Sequence, residues 1–142
     1  MIAQIIRFDT CDIPSTIRLV KIRVEMGRED LLEHTKEILE NADALFDGQR
    51  LLYIASDGSR HRILFEDNGL TIERSTEDMR SKTKLYRGGR GKTLICSQYG
   101  DMCLETELVN YDCRNGYRAA EYRIFSGGEA VTHQVIYWRR ID

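Results

Sequence analysis

The chain has 142 residues, 42% of them hydrophobic, and its 21 Lys and Arg against 23 Asp and Glu leave a net charge of −2. At this length folding buries roughly 68–70% of the unfolded surface, so a single domain over 1–142 without disulfide staples is expected. The longest wholly apolar run, Leu51 to Ala55, is far short of a bilayer crossing, and the N-terminus lacks a basic and then apolar leader. A cytoplasmic protein with no membrane contact is therefore expected. Cys11, Cys96, Cys103 and Cys113 form no CxxC pair, and His34, His61 and His133 stand far apart, so neither a metal nor another cofactor is expected.

In chain order, the first informative segment is 28–44, and it reads two ways. Leu31, Thr35, Ile38, Ala42 and Leu45 fall on one helical face among good helix formers. With period two, Ile38, Ala42, Ala44 and Phe46 line one side of a strand, and a three-residue turn at Asp47-Gly48-Gln49 puts Ala44 opposite Leu52. From residue 50 onward, short runs rich in Ile, Leu, Val, Tyr and Thr are punctuated by Asp57-Gly58, Asn68-Gly69, Tyr99-Gly100 and Gly127-Gly128. This is the pattern of an antiparallel meander.

Two-residue turns at these sites sort the side chains by face, because residues that oppose each other share a side of the sheet. Asp57-Gly58 pairs Ile54 with His61 and Leu52 with Ile63. Asn68-Gly69 pairs Phe65 with Ile72 and leaves Glu66 and Glu73 on the other side. Tyr99-Gly100 pairs Ile95 with Leu104 and places Cys96 opposite Cys103. Gly127-Gly128 pairs Ile124 with Val131, Tyr122 with His133 and Ala120 with Val135.

The segments "LLYIAS", "RILFEDNGLTIERS", Leu-Tyr-Arg-Gly at 85–88, "SQYGDMCLETELVNYD" and "AAEYRIFSGGE" together resemble the YwiB-like family of small uncharacterised bacterial proteins. The resemblance implies a calycin-type, lipocalin-like fold: mainly all-β, a single antiparallel up-and-down β-barrel with at most one or two short helices near the N-terminus. It also implies that "EILENADALFDG" is strand; a short helix at Glu29 to Lys36 feeding that strand reconciles this with the helix-prone acidic stretch, and residues 1–16, which precede the first shared strand, are an N-terminal extension by which the sequence departs from the family. No catalytic motif comes with it, so it implies more about fold than about activity.

The stretch "YRGGRGKT" at 86–93 nearly spells a phosphate-binding loop, but Tyr86 stands where its first glycine belongs, and "TLICSQYG" alternates like a strand instead of opening a helix. Arg80, Lys82, Lys84, Arg87, Arg90 and Lys92 form a basic stretch with no acidic residue among them. It reads either as a solvated edge guarded by lysines or as a dock for RNA or an acidic protein. Residues 25–47 hold eight acidic residues against two basic ones, Arg28 and Lys36, which makes homo-oligomerisation through the two patches an option.

An eight-stranded barrel has an interior that side chains fill or that holds one small ligand. The faces assigned above point Leu52, Ile54, Ile63, Phe65, Leu70, Ile72, Ile95, Met102, Leu104, Leu108, Tyr122, Ile124, Val131 and Val135 inward. Candidate ligand-lining residues are Ile63, Phe65, Ile72, Leu104, Tyr122 and His133, with His133 and Tyr122 able to orient a carbonyl or carboxylate. No nucleophile, base and anion-stabilising group converge, so a non-enzymatic barrel binding a small apolar or amphipathic ligand is the first reading. Docking of RNA or an acidic protein through 80–92 is the second.

Overall fold

The computed structural model of the chain describes residues 19–142, so the expected N-terminal extension and Cys11 lie outside the described residues. Ten strands follow in order: β1 (Val20–Asp30), β2 (Thr35–Phe46), β3 (Arg50–Ile54), β4 (Arg60–Glu66), β5 (Gly69–Ser75), β6 (Met79–Tyr86), β7 (Arg90–Ser97), β8 (Gly100–Arg114), β9 (Tyr117–Ser126) and β10 (Glu129–Arg140). Each pairs antiparallel with its chain neighbours and β1 also pairs with β10, closing an up-and-down barrel without a free edge. The all-β barrel expectation holds, with ten strands where eight were anticipated and no helix among the described residues.

The short helix expected over Glu29 to Lys36 is instead the end of β1, a turn at 31–34 and the start of β2. Asp30 stops the strand by accepting hydrogen bonds from the amides of Leu32 and Glu33 at 3.0 and 3.1 Å. The ladders that β1 makes with both β10 and β2 then outweigh the helix propensity of this segment. On β2 a register shift at Leu39, between the Met26–Glu40 and Gly27–Ile38 pairs, turns Ile38 outward, where it is 63% exposed.

Strand β3 is turned over relative to expectation while its neighbours are not. Ala44 opposes Tyr53 rather than Leu52, and Ile63 opposes Leu51 rather than Leu52. Each flanking turn differs by one residue. The β2–β3 loop is tied by Asp47 Oδ1 accepting from the Gln49 and Arg50 amides, and the β3–β4 loop is closed by the Ala55 amide on the Ser59 carbonyl. Leu51 and Tyr53 therefore face inward, and Leu52 and Ile54 face outward. Leu52 is nonetheless fully buried, because Leu45, Leu19 and Ile54 cover it from outside. A strand buried on both sides has no alternation from which to read its face.

The β4–β5 and β7–β8 turns sit one residue earlier than expected, at Asp67-Asn68 and Gln98-Tyr99, with Gly69 and Gly100 opening the returning strands. Register therefore moves by two, and a shift of two keeps every side chain on its own face. Phe65 opposes Leu70, Ile63 opposes Ile72, and Ile95 opposes Met102. Cys96 faces Asp101 and Cys103 faces Leu94, so the cross-strand cysteine pair does not form, and both thiols are free and exposed.

Gly127 and Gly128, at φ 61° and 84°, make the expected hairpin turn, and Ala130 opposes Phe125 as counted. A bulge at Val131 then shifts the register, so that Thr132 opposes Ile124, Gln134 opposes Tyr122 and Ile136 opposes Ala120. His133, Val135 and Val131 thus face outward, contrary to expectation, and Val131 is 53% exposed.

The near-miss phosphate loop is the β6–β7 connection and the start of β7, and Gly91 has a structural reason. A Cβ there would lie 2.1 Å from the Lys84 carbonyl oxygen and 2.8 Å from Thr106 Oγ1. Thr106, on β8, reaches past Gly91 to donate a 2.7 Å hydrogen bond to that carbonyl on β6, and Thr93 bonds Thr83 at 2.7 Å. Gly91→Ala is expected to cost about 1–3 kcal/mol by overpacking against backbone that cannot retreat. Urea unfolding followed through Trp138 measures this, and an unchanged midpoint would refute the close approach.

Candidate functional site

The barrel interior has two unlike halves. Toward the end that carries the 47–49, 67–68, 87–89 and 115–116 turns, Leu51, Phe65, Leu70, Leu85, Tyr111, Ala120 and Trp138 are all buried in one cluster. Phe65 meets Trp138 edge to face at 5.3 Å, and the Arg118 guanidinium lies 5.5 Å over the Phe65 ring. Arg87 folds across this end, donating to the Tyr111 carbonyl at 2.9 Å with its guanidinium 5.0 Å over the Tyr111 ring. A cleft of about 70 Å³ beside Phe65 and Trp138 remains. Ligand sites usually span roughly 300–1,000 Å³, so this end is a plug.

Toward the opposite end Met26, Tyr53 and His61 stay buried, but the inner wall on β5 and β7 to β10 is less completely covered. Ile72, Ile95, Leu104, Ile124 and Ile136 face inward but are only half-buried, and Met102 is 53% exposed. Tyr122 lies between the halves, flanked along β9 by half-buried Ile124 and buried Ala120. Burial raises its phenol pKa, and Gln134 Nε2 donates to its hydroxyl, so it is a neutral phenol in a hydrogen-bonded pair.

The six sequence-derived lining residues thus separate. Ile63 and Phe65 belong to the packed core, Ile72 and Leu104 to the open half, and Tyr122 to the boundary. His133 is outside, with Nε2 at 2.8 Å from Glu121 Oε2. Gln134 takes the place expected for His133. Counting back from Trp138, which is too large and apolar to face water, would have placed Ile136, Gln134 and Thr132 inward; counting forward from the turn missed the bulge.

A second polar group lies near the open end. Ser59 Oγ donates to Asp57 Oδ1 at 2.5 Å and sits 2.8 Å from His61 Nε2, while the His61 ring stacks on Tyr53 at 4.6 Å and 5°. Burial first, and the Arg74 charge second, hold His61 down to about 4, so at neutral pH it is uncharged and can donate through Nε2 to Ser59. The residue types are those of a hydrolase triad, but the order is wrong. The hydroxyl is central, its proton goes to Asp57, and no base is left to activate it. The chain ties the β3–β4 loop to the barrel.

The basic stretch divides too. Arg80, Lys82 and Lys84 alternate on the outer face of β6, and Lys92 is exposed on β7 opposite Glu105. Arg87 is spent on the plug, and Arg90 lies 4.4 Å over Phe125 and 3.8 Å from Glu105. The acidic residues of 25–47 are mostly engaged locally. Glu25 accepts from Tyr137 and Arg139, Asp43 pairs with Arg23, Glu37 with Arg28, and Glu40 accepts from Ser56. Among the described residues no group of three or more His, Cys, Asp or Glu is placed to hold a metal ion.

Fold and site together define a closed ten-stranded antiparallel barrel, packed at one end and lined toward the other by half-buried apolar side chains on β5 and β7 to β10. It is similar to the crystal structure of the ywiB protein from Bacillus subtilis, with a TM-score of 0.52 and 10% identity over 86% of this chain and 91% of that one. At that identity the likeness is one of fold. No protein-family model and no curated protein matches the sequence.

Proposed function

We propose that the protein is a non-enzymatic, calycin-like carrier that takes one small apolar or amphipathic molecule into the open half of its barrel. One observation carries the reading: the inner wall changes from buried to half-exposed apolar side chains within a single barrel, with Ile72, Ile95, Leu104 and Ile124 beside exposed Met102. Inward apolar groups left in water are costly unless something covers them, and an apolar recess with a few polar groups is the usual form of a ligand site. The Tyr122–Gln134 pair supplies an oriented hydroxyl at its floor. Free thiols at Cys96, Cys103 and Cys113 support a reducing, cytoplasmic setting.

Fluorescence titration with 1-anilinonaphthalene-8-sulfonate tests this. The probe should bind the folded protein one to one, and Leu104→Glu should weaken it by about tenfold or more, which is about 1.4 kcal/mol. Val131→Glu, on the outer surface, should leave binding unchanged. Equal binding by all three proteins, or none by the wild type, would refute the reading.

A further inference from the structure

We propose that the outer face of β3 to β7 binds the phosphate backbone of single-stranded RNA. Arg80, Lys82 and Lys84 point outward from alternate positions of β6. A strand advances ~3.3 Å per residue, so these cations repeat every ~6.6 Å, a spacing suited to successive phosphates of an extended strand. Two concavities, of 320 and 470 Å³, lie side by side on this face and share Arg62, Glu73 and Lys82. Arg50, Lys84 and Glu66 line the first and Arg60, Arg74 and Arg80 the second, which makes a trough of net positive charge across neighbouring strands.

The charges within the trough are only partly neutralised. Glu73 takes Arg62 at 2.8 Å and Lys82 at 3.3 Å, whereas Arg80 and Lys84 are exposed and make no ion pair among the described residues. Tyr86, 41% exposed at the end of β6 and on the rim of the first concavity, offers a ring on which a base can stack. An acidic protein would need apolar anchors at the centre of its contact, and the trough's aliphatic lining is limited to Leu64 and Leu94. Regularly spaced cations with few apolar neighbours suit a polyanion better.

Fluorescence anisotropy of a labelled ten-nucleotide oligouridine with the full chain tests this. Binding should be measurable at 50 mM salt and about twentyfold weaker at 200 mM, as expected for roughly three phosphates on a single strand. The triple variant Arg80→Ala, Lys82→Ala, Lys84→Ala should bind about tenfold or more weakly with an unchanged melting temperature, because all three side chains project from the barrel. Lys84→Arg should retain binding, and Arg23→Ala, on β1, should not alter it. No binding at 50 mM salt, or equal binding by the triple variant, would overturn the proposal. If the triple variant abolished a salt-sensitive self-association while no RNA bound, the face would belong to a second copy of the chain instead.

Discussion

Acidification from pH 7 to 4 is expected to destabilise the barrel by about 3 kcal/mol through His61 alone. The folded protein holds this imidazole down to about 4 against an ordinary 6.5, first by burial between Tyr53 and the β3–β4 loop and then by the Arg74 charge; the carboxylates of Asp57 and Glu40 oppose the shift without reversing it. Between those two values the unfolded chain binds the proton and the folded chain does not. Stability is therefore present in full above about pH 6.5, falls as pH drops through the window, and levels off near pH 4. A small domain has only about 5–15 kcal/mol in total, so the loss is large. Urea unfolding at pH 7, 5.5 and 4, read through the single Trp138, measures it. His61→Gln, which keeps a donor for Ser59 but does not titrate, should flatten this part of the profile. Parallel pH profiles for the two proteins would show that His61 is not held neutral by the fold.

Phe65→Ala is expected to cost about 3–5 kcal/mol, the range for removing a large aromatic from a packed core. Phe65 is buried, meets Trp138 edge to face and lies under Arg118, so its loss leaves a hole that these two neighbours cannot close. Leu104→Ala, also on the inner wall but half-buried, is expected to cost about 1 kcal/mol or less, because water already reaches the side chain that is removed. The contrast tests the two-ended interior directly. Similar costs at both positions would mean that the barrel is packed throughout and that no open half exists for a ligand.

Where the inward set was legible, the reason was turn chemistry combined with a forgiving symmetry. The turns expected at Asn68-Gly69 and Tyr99-Gly100 lie one residue earlier in the structure, yet the resulting shift of two leaves Ile63, Phe65, Ile72, Ile95 and Leu104 on the inner face. The β3 strand had no such protection. Its two turns each differed by one residue, and Leu51 to Ile54 is apolar at every position, so nothing local distinguished the inside from the outside. His133 was misplaced because a bulge at Val131 leaves no mark in the local pattern.

The candidate surfaces show the same division. The basic stretch was visible as a run along the chain, but a run does not reveal that Arg87 turns back onto Tyr111 while Arg50 and Arg62, some twenty to forty residues upstream, join Lys82 and Lys84 across adjacent strands. Those partners come from pairing between strands, and pairing is non-local.

The amino-acid order alone determined that the chain from residue 50 onward is antiparallel β, the neighbourhood of four of its turns, and which side of most strands there is oily, because glycine at a bend and period-two alternation act within a few residues. Only the tertiary structure decided the closure at ten strands, the face of β3, the partner of Tyr122 and the union of distant cations. Each depends on what a neighbouring strand presents, and a bulge or a one-residue change in a turn inverts that without altering the sequence pattern on either side.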